Sequence, residues 1–152
     1  MCQDQKTPRA VTLLRGRLEY SVTTLYLYNN QISDIVWVAN LTALQELSIR
    51  ENQIADIGPL AGIAGLVTLW AYTNDIADVS PLSDLTGLDF VSLTTNQITD
   101  IGPLRDNGGL AAGDEVYVSA NPLDAQSLYE HIPALQARNG IVGITPETTT
   151  PS

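Results

Sequence analysis

Cysteine is nearly absent from this chain. Cys2 is the one example among 152 residues, so no internal disulfide and no thiolate metal site can form. Histidine is equally scarce: His131 stands alone, beside Glu130, in the stretch that follows the last repeat and closes the C-terminal end. That excludes a nucleophile–histidine–acid triad at the centre of the molecule. Basic residues are few, seven Lys and Arg against 17 Asp and Glu, giving a net charge of -10. The deficit is uneven, since residues 1–17 sum to +3 and residues 18–152 to -13. Such a body repels nucleic acid, whose binding depends on cations that neutralise phosphates. It favours a soluble chain and, where a partner exists, a basic one. No apolar run approaches the roughly 18 residues of a membrane span. No phosphate-binding glycine loop and no metal-ligand spacing occurs, so no cofactor is expected.

What the chain does have is a period. Leu41–Gly62 reads LTALQELSIRENQIADIGPLAG, and Ile63–Asp84 and Leu85–Arg105 repeat its pattern at a spacing of 22 residues. Leu44, Leu66 and Leu88 share one column, Leu47, Leu69 and Val91 another, and Asn52, Asn74 and Asn96 a third. Ile54/Ile76/Ile98, Asp56/Asp78/Asp100 and Pro59/Pro81/Pro103 complete the set. A fixed period of this length marks a solenoid, whose units bury their apolar edges only against their neighbours.

Two further units are imperfect. The first keeps Val22, Leu25, Leu27, Asn30, Ile32, Asp34 and Ile35 in register, but has Glu19 in the leucine column and Trp37 in place of the proline. The last runs three residues late, Val116 lying 25 after Val91, and the extra residues fall within the glycine-rich stretch Asp106–Gly113. Val116 to Leu123 then restores the strand and Asn121.

The pattern L-x-x-L-x-L-x-x-N-x-I, followed by I-x-D-I-x-P-L, resembles the bacterial leucine-rich repeat of the internalin-like, 22-residue class. The resemblance covers roughly residues 18–144. It implies a right-handed α/β solenoid, with a short parallel sheet on the concave face, irregular or 3-10 turns on the convex side, and caps at both ends. The expected organisation is a disordered segment over 1–9, an N-terminal cap over 10–20 and five repeats over 21–123. A C-terminal cap over 124–144 and a Thr/Pro-rich tail over 145–152 follow. In that cap Asp124 is a helix N-cap, Leu128, Ile132 and Leu135 form an apolar face, and Pro133 should break or kink the helix. His131 is expected on its surface, and Ile141–Ile144 as a last strand. Cys2, followed by a polar tether, fits a lipid-anchored protein outside the cytoplasm or at the cell surface. No signal peptide is visible in the chain to support that.

Each column has a predicted task. In L-x-L the leucines point inward and the residue between them outward, because strand side chains alternate. Asn30, Asn52, Asn74, Asn96 and Asn121 turn inward after each strand, where an amide satisfies backbone groups that no sheet ladder reaches. Asp34, Asp56, Asp78 and Asp100 stack one per coil. Such a stack resembles a calcium ladder, but each aspartate precedes a tight turn whose amides it is placed to cap. Capping accounts for the repeat, and no metal is expected.

The variable outward positions carry the functional information. They read Thr24, Glu46, Thr68, Phe90, Glu115; then Tyr26, Ser48, Trp70, Ser92, Tyr117; then Tyr28, Arg50, Tyr72, Thr94, Ser119. Six of the nine aromatics therefore point out from strands, where a domain on its own gains little from them. The expected contact set is Tyr26, Tyr28, Arg50, Trp70, Tyr72, Phe90 and Tyr117, presented toward solvent for a protein partner. Cross-strand stacking that merely stabilises the sheet explains the same residues. A carbohydrate surface using Tyr26, Trp70, Tyr72 and Phe90, or a spacer without a ligand, are the other readings. Catalysis is not expected: Glu46 and Glu115 stand three coils apart, about 14 Å, beyond the roughly 5–9.5 Å of a glycosidase pair.

Overall fold

The computed structural model describes residues 21–138. The expected N-terminal segment and cap, Cys2, the strand expected at 141–144 and the tail lie outside the described residues. Within them the chain coils past the same sheet five times. Thr24–Tyr26 (β1), Glu46–Ser48 (β2), Thr68–Trp70 (β3), Phe90–Ser92 (β4) and Glu115–Tyr117 (β5) form one parallel sheet in chain order. The register advances by 22 residues at each step until Phe90 pairs with Glu115, where it advances by 25.

The leucine columns are the core. Leu44, Leu47, Leu66 and Leu69 have no accessible surface, and neither have Val91 and Val116 from the later coils. Leu110 is also buried and keeps the 22-residue step from Leu88, so the three extra residues enter after it, before β5. A turn from Ala111 to Asp114 accommodates them, with Gly113 at φ 98° and Ala111 N–H donating to the Asp114 carboxylate at 2.6 Å.

On the opposite side the chain returns through 3-10 turns at Val36–Asn40, Gly58–Leu60 and Ser80–Leu82, and through a short α-helix, Gly102–Asp106 (α1). Each turn opens on an aspartate. Asp34, Asp56, Asp78 and Asp100 accept the N–H two residues on, at 2.7–2.8 Å, so each carboxylate caps its own turn.

The asparagines hold coil to coil. The Asn74 amide donates to Ile49 O at 3.0 Å in the preceding coil and to Ala71 O at 3.1 Å in its own, while its carbonyl accepts Ile54 N–H at 3.0 Å. Asn52, Asn96 and Asn121 repeat the same three-way contact. The residue before each ladder asparagine is left-handed, with φ 55–57° at Asn29, Glu51, Thr73, Thr95 and Ala120. None of the five is glycine, so each coil carries a backbone conformation that favours glycine or asparagine.

The C-terminal end corrects the surface placement of His131 and decides between the two alternatives, break or kink, given for Pro133. Pro133 does not break the helix. Ser127–His131 forms a π turn, in which Ile132 N–H reaches back to Ser127 O, and Ile132–Ala137 (α2) continues with Pro133 in its first turn. A proline lacks the N–H of a normal α turn and crowds the carbonyl four residues back, and a widened turn relieves both. His131 is not on the surface but 3% exposed. It lies against α1 where Gly102 leaves room, its Cε1 only 3.2 Å from where a β-carbon would sit. Its Nδ1 is 3.4 Å from the Asp100 carboxylate. Neither ring nitrogen has a hydrogen-bond partner among the described residues.

Asp124 caps this helix, accepting Ser127 N–H at 2.7 Å. That bond draws its carboxyl below the usual carboxylate range. A carboxyl lowered in the folded state stabilises above its unfolded titration range, and the gain is lost as pH falls through the folded one. Asp124→Ala is therefore expected to unfold at lower urea than wild type at neutral pH. The gap should close below the ordinary carboxylate range; a gap that persists in acid would mean the cap acts through something other than its charge.

Candidate functional site

The concave face is built by an alternation of large and small side chains. Along one column stand Tyr26, Ser48, Trp70, Ser92 and Tyr117, one per strand. Rings on every second strand are roughly 9–10 Å apart by strand spacing, too far to touch unless they lean over the small residue between them. They do lean. The Tyr26 and Trp70 ring centroids are 6.5 Å apart, closing over Ser48, which is left 2% exposed. Phe90, from the neighbouring column, links Trp70 at 5.4 Å to Tyr117 at 5.6 Å. Tyr28 extends the chain at the other end, 6.5 Å from Tyr26. One continuous run of rings thus crosses all five strands, with planes inclined at 46–59° to one another.

This packing corrects the expectation that every aromatic of the face is presented to solvent. Tyr26 and Tyr28 are exposed, at 54% and 47%. Trp70, Tyr72, Phe90 and Tyr117 are half-buried, because rings on adjacent strands cover one another's edges. Stacking and presentation are therefore both realised in the same side chains.

Arg50 lies in the third column between two tyrosines. Its guanidinium carbon is 4.3 Å from the Tyr28 ring centroid and 5.4 Å from that of Tyr72. Its Nη1 donates to Glu51 at 3.1 Å and to the Tyr72 hydroxyl. The carboxylates of the face are engaged as well. Glu46 accepts the Tyr26 hydroxyl, and Glu115 accepts that of Tyr117 at 2.6 Å. Each bond to a carboxylate, helped by partial desolvation, raises the phenol above its usual range. All seven predicted contact residues come together around one open hollow of about 570 Å³, floored by Ser48, Ser92 and Thr94. The sequence columns name those three small residues as concave but give no reason to single them out.

Residues 21–62 match the family described as Leucine Rich repeats (2 copies). With an asparagine ladder, a five-stranded parallel sheet and a 22-residue register beside that match, the assignment follows. This is a leucine-rich repeat solenoid.

Solved structures similar to this leucine-rich repeat chain include an internalin (inlF) from Listeria monocytogenes, at 34% identity and a TM-score of 0.68 over 81% of the chain. An internalin C2 from the same organism is 36% identical over 73% of it, with a TM-score of 0.66. A leucine-rich repeat protein of Leptospira interrogans, 23% identical with a TM-score of 0.67 over 83%, shares the fold. The chain spans 34%, 48% and 32% of the length of these three proteins. No curated protein matches the sequence. Among the described residues no helix is long and apolar enough to cross a membrane.

Proposed function

We propose that this leucine-rich repeat domain is a non-enzymatic binding module that takes a protein partner on its concave face, outside the cytoplasm or at the cell surface. The observation that carries the reading is the run of rings across all five strands, around an open hollow. Large aromatic side chains held in place by their neighbours lose little freedom on binding and concentrate contact energy at the centre of an interface. The acidic body favours a basic partner, steered by charge before contact.

A sugar surface is the second reading. The ring inclinations argue against it, because a stacking platform needs a ring lying open and flat, and these are tilted edge against face into one another. Binding to a glycan array in the absence of any protein partner would reverse that preference. A spacer would bind neither.

Trp70→Ala tests the proposal. It removes the central ring of the run, and is expected to weaken a protein partner captured by the wild-type domain by about 2 kcal/mol or more. Calorimetric titration reads the affinity, and circular dichroism checks that the fold is kept. Unchanged affinity in a folded variant would move the partner to the edges or the caps.

A further inference from the structure

We propose that Arg50 is a seat for a carboxylate of the protein partner, the cationic point of an otherwise acidic domain; this rests on the concave face being the interaction surface. Among the described residues there are three arginines and no lysine. Arg105 is paired with Asp106 at 2.7 Å, Arg138 donates to Asn107 O at 3.0 Å, and Arg50 pairs with Glu51 at 3.1 Å. Only Arg50 lines the hollow.

The fold uses one of its nitrogens. Nη1 is committed to Glu51 and Tyr72, while Nε and Nη2 have no hydrogen bond among the described residues. Those two donors form the parallel pair that a carboxylate accepts bidentately. The guanidinium is also fixed in advance, held between the Tyr28 and Tyr72 rings, so little freedom is lost when the bond forms. Around it, Ser48 and Ser92 line the hollow with small side chains that leave room beside the guanidinium. The two carboxylates of the face, Glu46 and Glu115, are tied to Tyr26 and Tyr117. Ring walls beside the cation favour a carboxylate carried next to an apolar group. The acidic body still steers a net-basic partner; Arg50 selects a single acid within its contact surface.

The test uses two probes that differ only in charge, N-acetylphenylalanine and its uncharged amide, titrated into the whole chain and followed by NMR. The signals are the Arg50 Nε–H and the Trp70 indole N–H. The acid is expected to shift both and to bind about tenfold tighter than the amide. Arg50→Met should abolish that preference, and Arg50→Lys, which keeps the charge without the fork, should keep only part of it. Equal responses to acid and amide, or none to either, overturn the proposal, and so does an acid preference that survives in Arg50→Met. If Arg50→Met fails to fold, the wild-type comparison decides alone. Glucuronate binding tighter than the amino-acid probe would assign the seat to an acidic glycan, overturning its protein source. The interaction surface is read separately: a partner weakened by Trp70→Ala but not by Arg50→Met leaves the surface standing and removes the seat.

Discussion

Asn74→Ala is expected to lower the unfolding free energy by about 3 kcal/mol or more. The side chain is 7% exposed and serves four backbone groups in two coils: Ile49 O, Ala71 O and Ile54 N–H at 3.0–3.1 Å, and Tyr72 O at 3.5 Å. Truncation leaves Ile54 N–H without a partner and takes one donor each from Ile49 O and Ala71 O, which Asn52 and Asn96 still reach, each such lost bond costing about 1 kcal/mol. A buried backbone group so abandoned costs about 1–3 kcal/mol. The same change at Asn30 is the control. That residue is half-buried, and among the described residues its amide reaches only Leu27 O and Tyr28 O, in its own coil. Its loss should cost about 1 kcal/mol, one modest hydrogen-bonding group. Urea unfolding of both variants measures the difference; equal losses would mean that the coil-to-coil bonds contribute little.

Gly109→Ala should be comparably severe, at about 3 kcal/mol. A β-carbon at this position would lie 2.0 Å from Thr86 O and 2.5 Å from the Thr86 carbonyl carbon. Those are backbone atoms of the coil below, so relief requires the coils to part. Gly87 occupies the equivalent place one coil earlier, and its β-carbon would meet Ala64 O and Leu66 O at 3.5 Å, an ordinary contact. Gly87→Ala should therefore change stability by less than about 1 kcal/mol. Thermal unfolding of the two variants separates a tight coil stack from a loose one, and similar melting temperatures would rule out the close approach at Gly109.

The contrast between those two glycines shows where the sequence was legible. Positions that repeat every 22 residues meet the same surroundings each time, so the leucine, asparagine and aspartate columns could be assigned from their spacing alone. Where a coil departs from its neighbours, the spacing is silent. Asn107 stands in the column of Leu41, Ile63 and Leu85, and is wholly buried because its amide bonds Leu82 O and Leu85 O. Nothing in its residue type announces that. The left-handed residues Glu51, Thr73, Thr95 and Ala120 were equally invisible, since none is a residue chosen for that conformation. His131 lies on a helix and its residue type favours the surface, yet its ring is buried against α1, where Gly102 leaves room for it, a fit between two coils that no single stretch expresses.

The concave face was half legible. Strand alternation named its residues, but alternation gives a direction and not a degree of exposure. The half-burial of Trp70 depends on Ser48 being small enough for the Tyr26 ring to lean across it. That is a property of three strands together, which no single column expresses.

The interaction surface can be read in one measurement, hydroxyl-radical footprinting of the aromatic side chains with and without the captured partner. Tyr26 and Tyr28 are 54% and 47% exposed on the concave face, and Tyr129, on the C-terminal helix, is 78% exposed and serves as the internal reference. Binding on the concave face predicts that the partner suppresses oxidation of Tyr26, Tyr28 and Trp70 while Tyr129 reacts as before. Protection of Tyr129, with Tyr26 and Tyr28 still oxidised at the free rate, would contradict it.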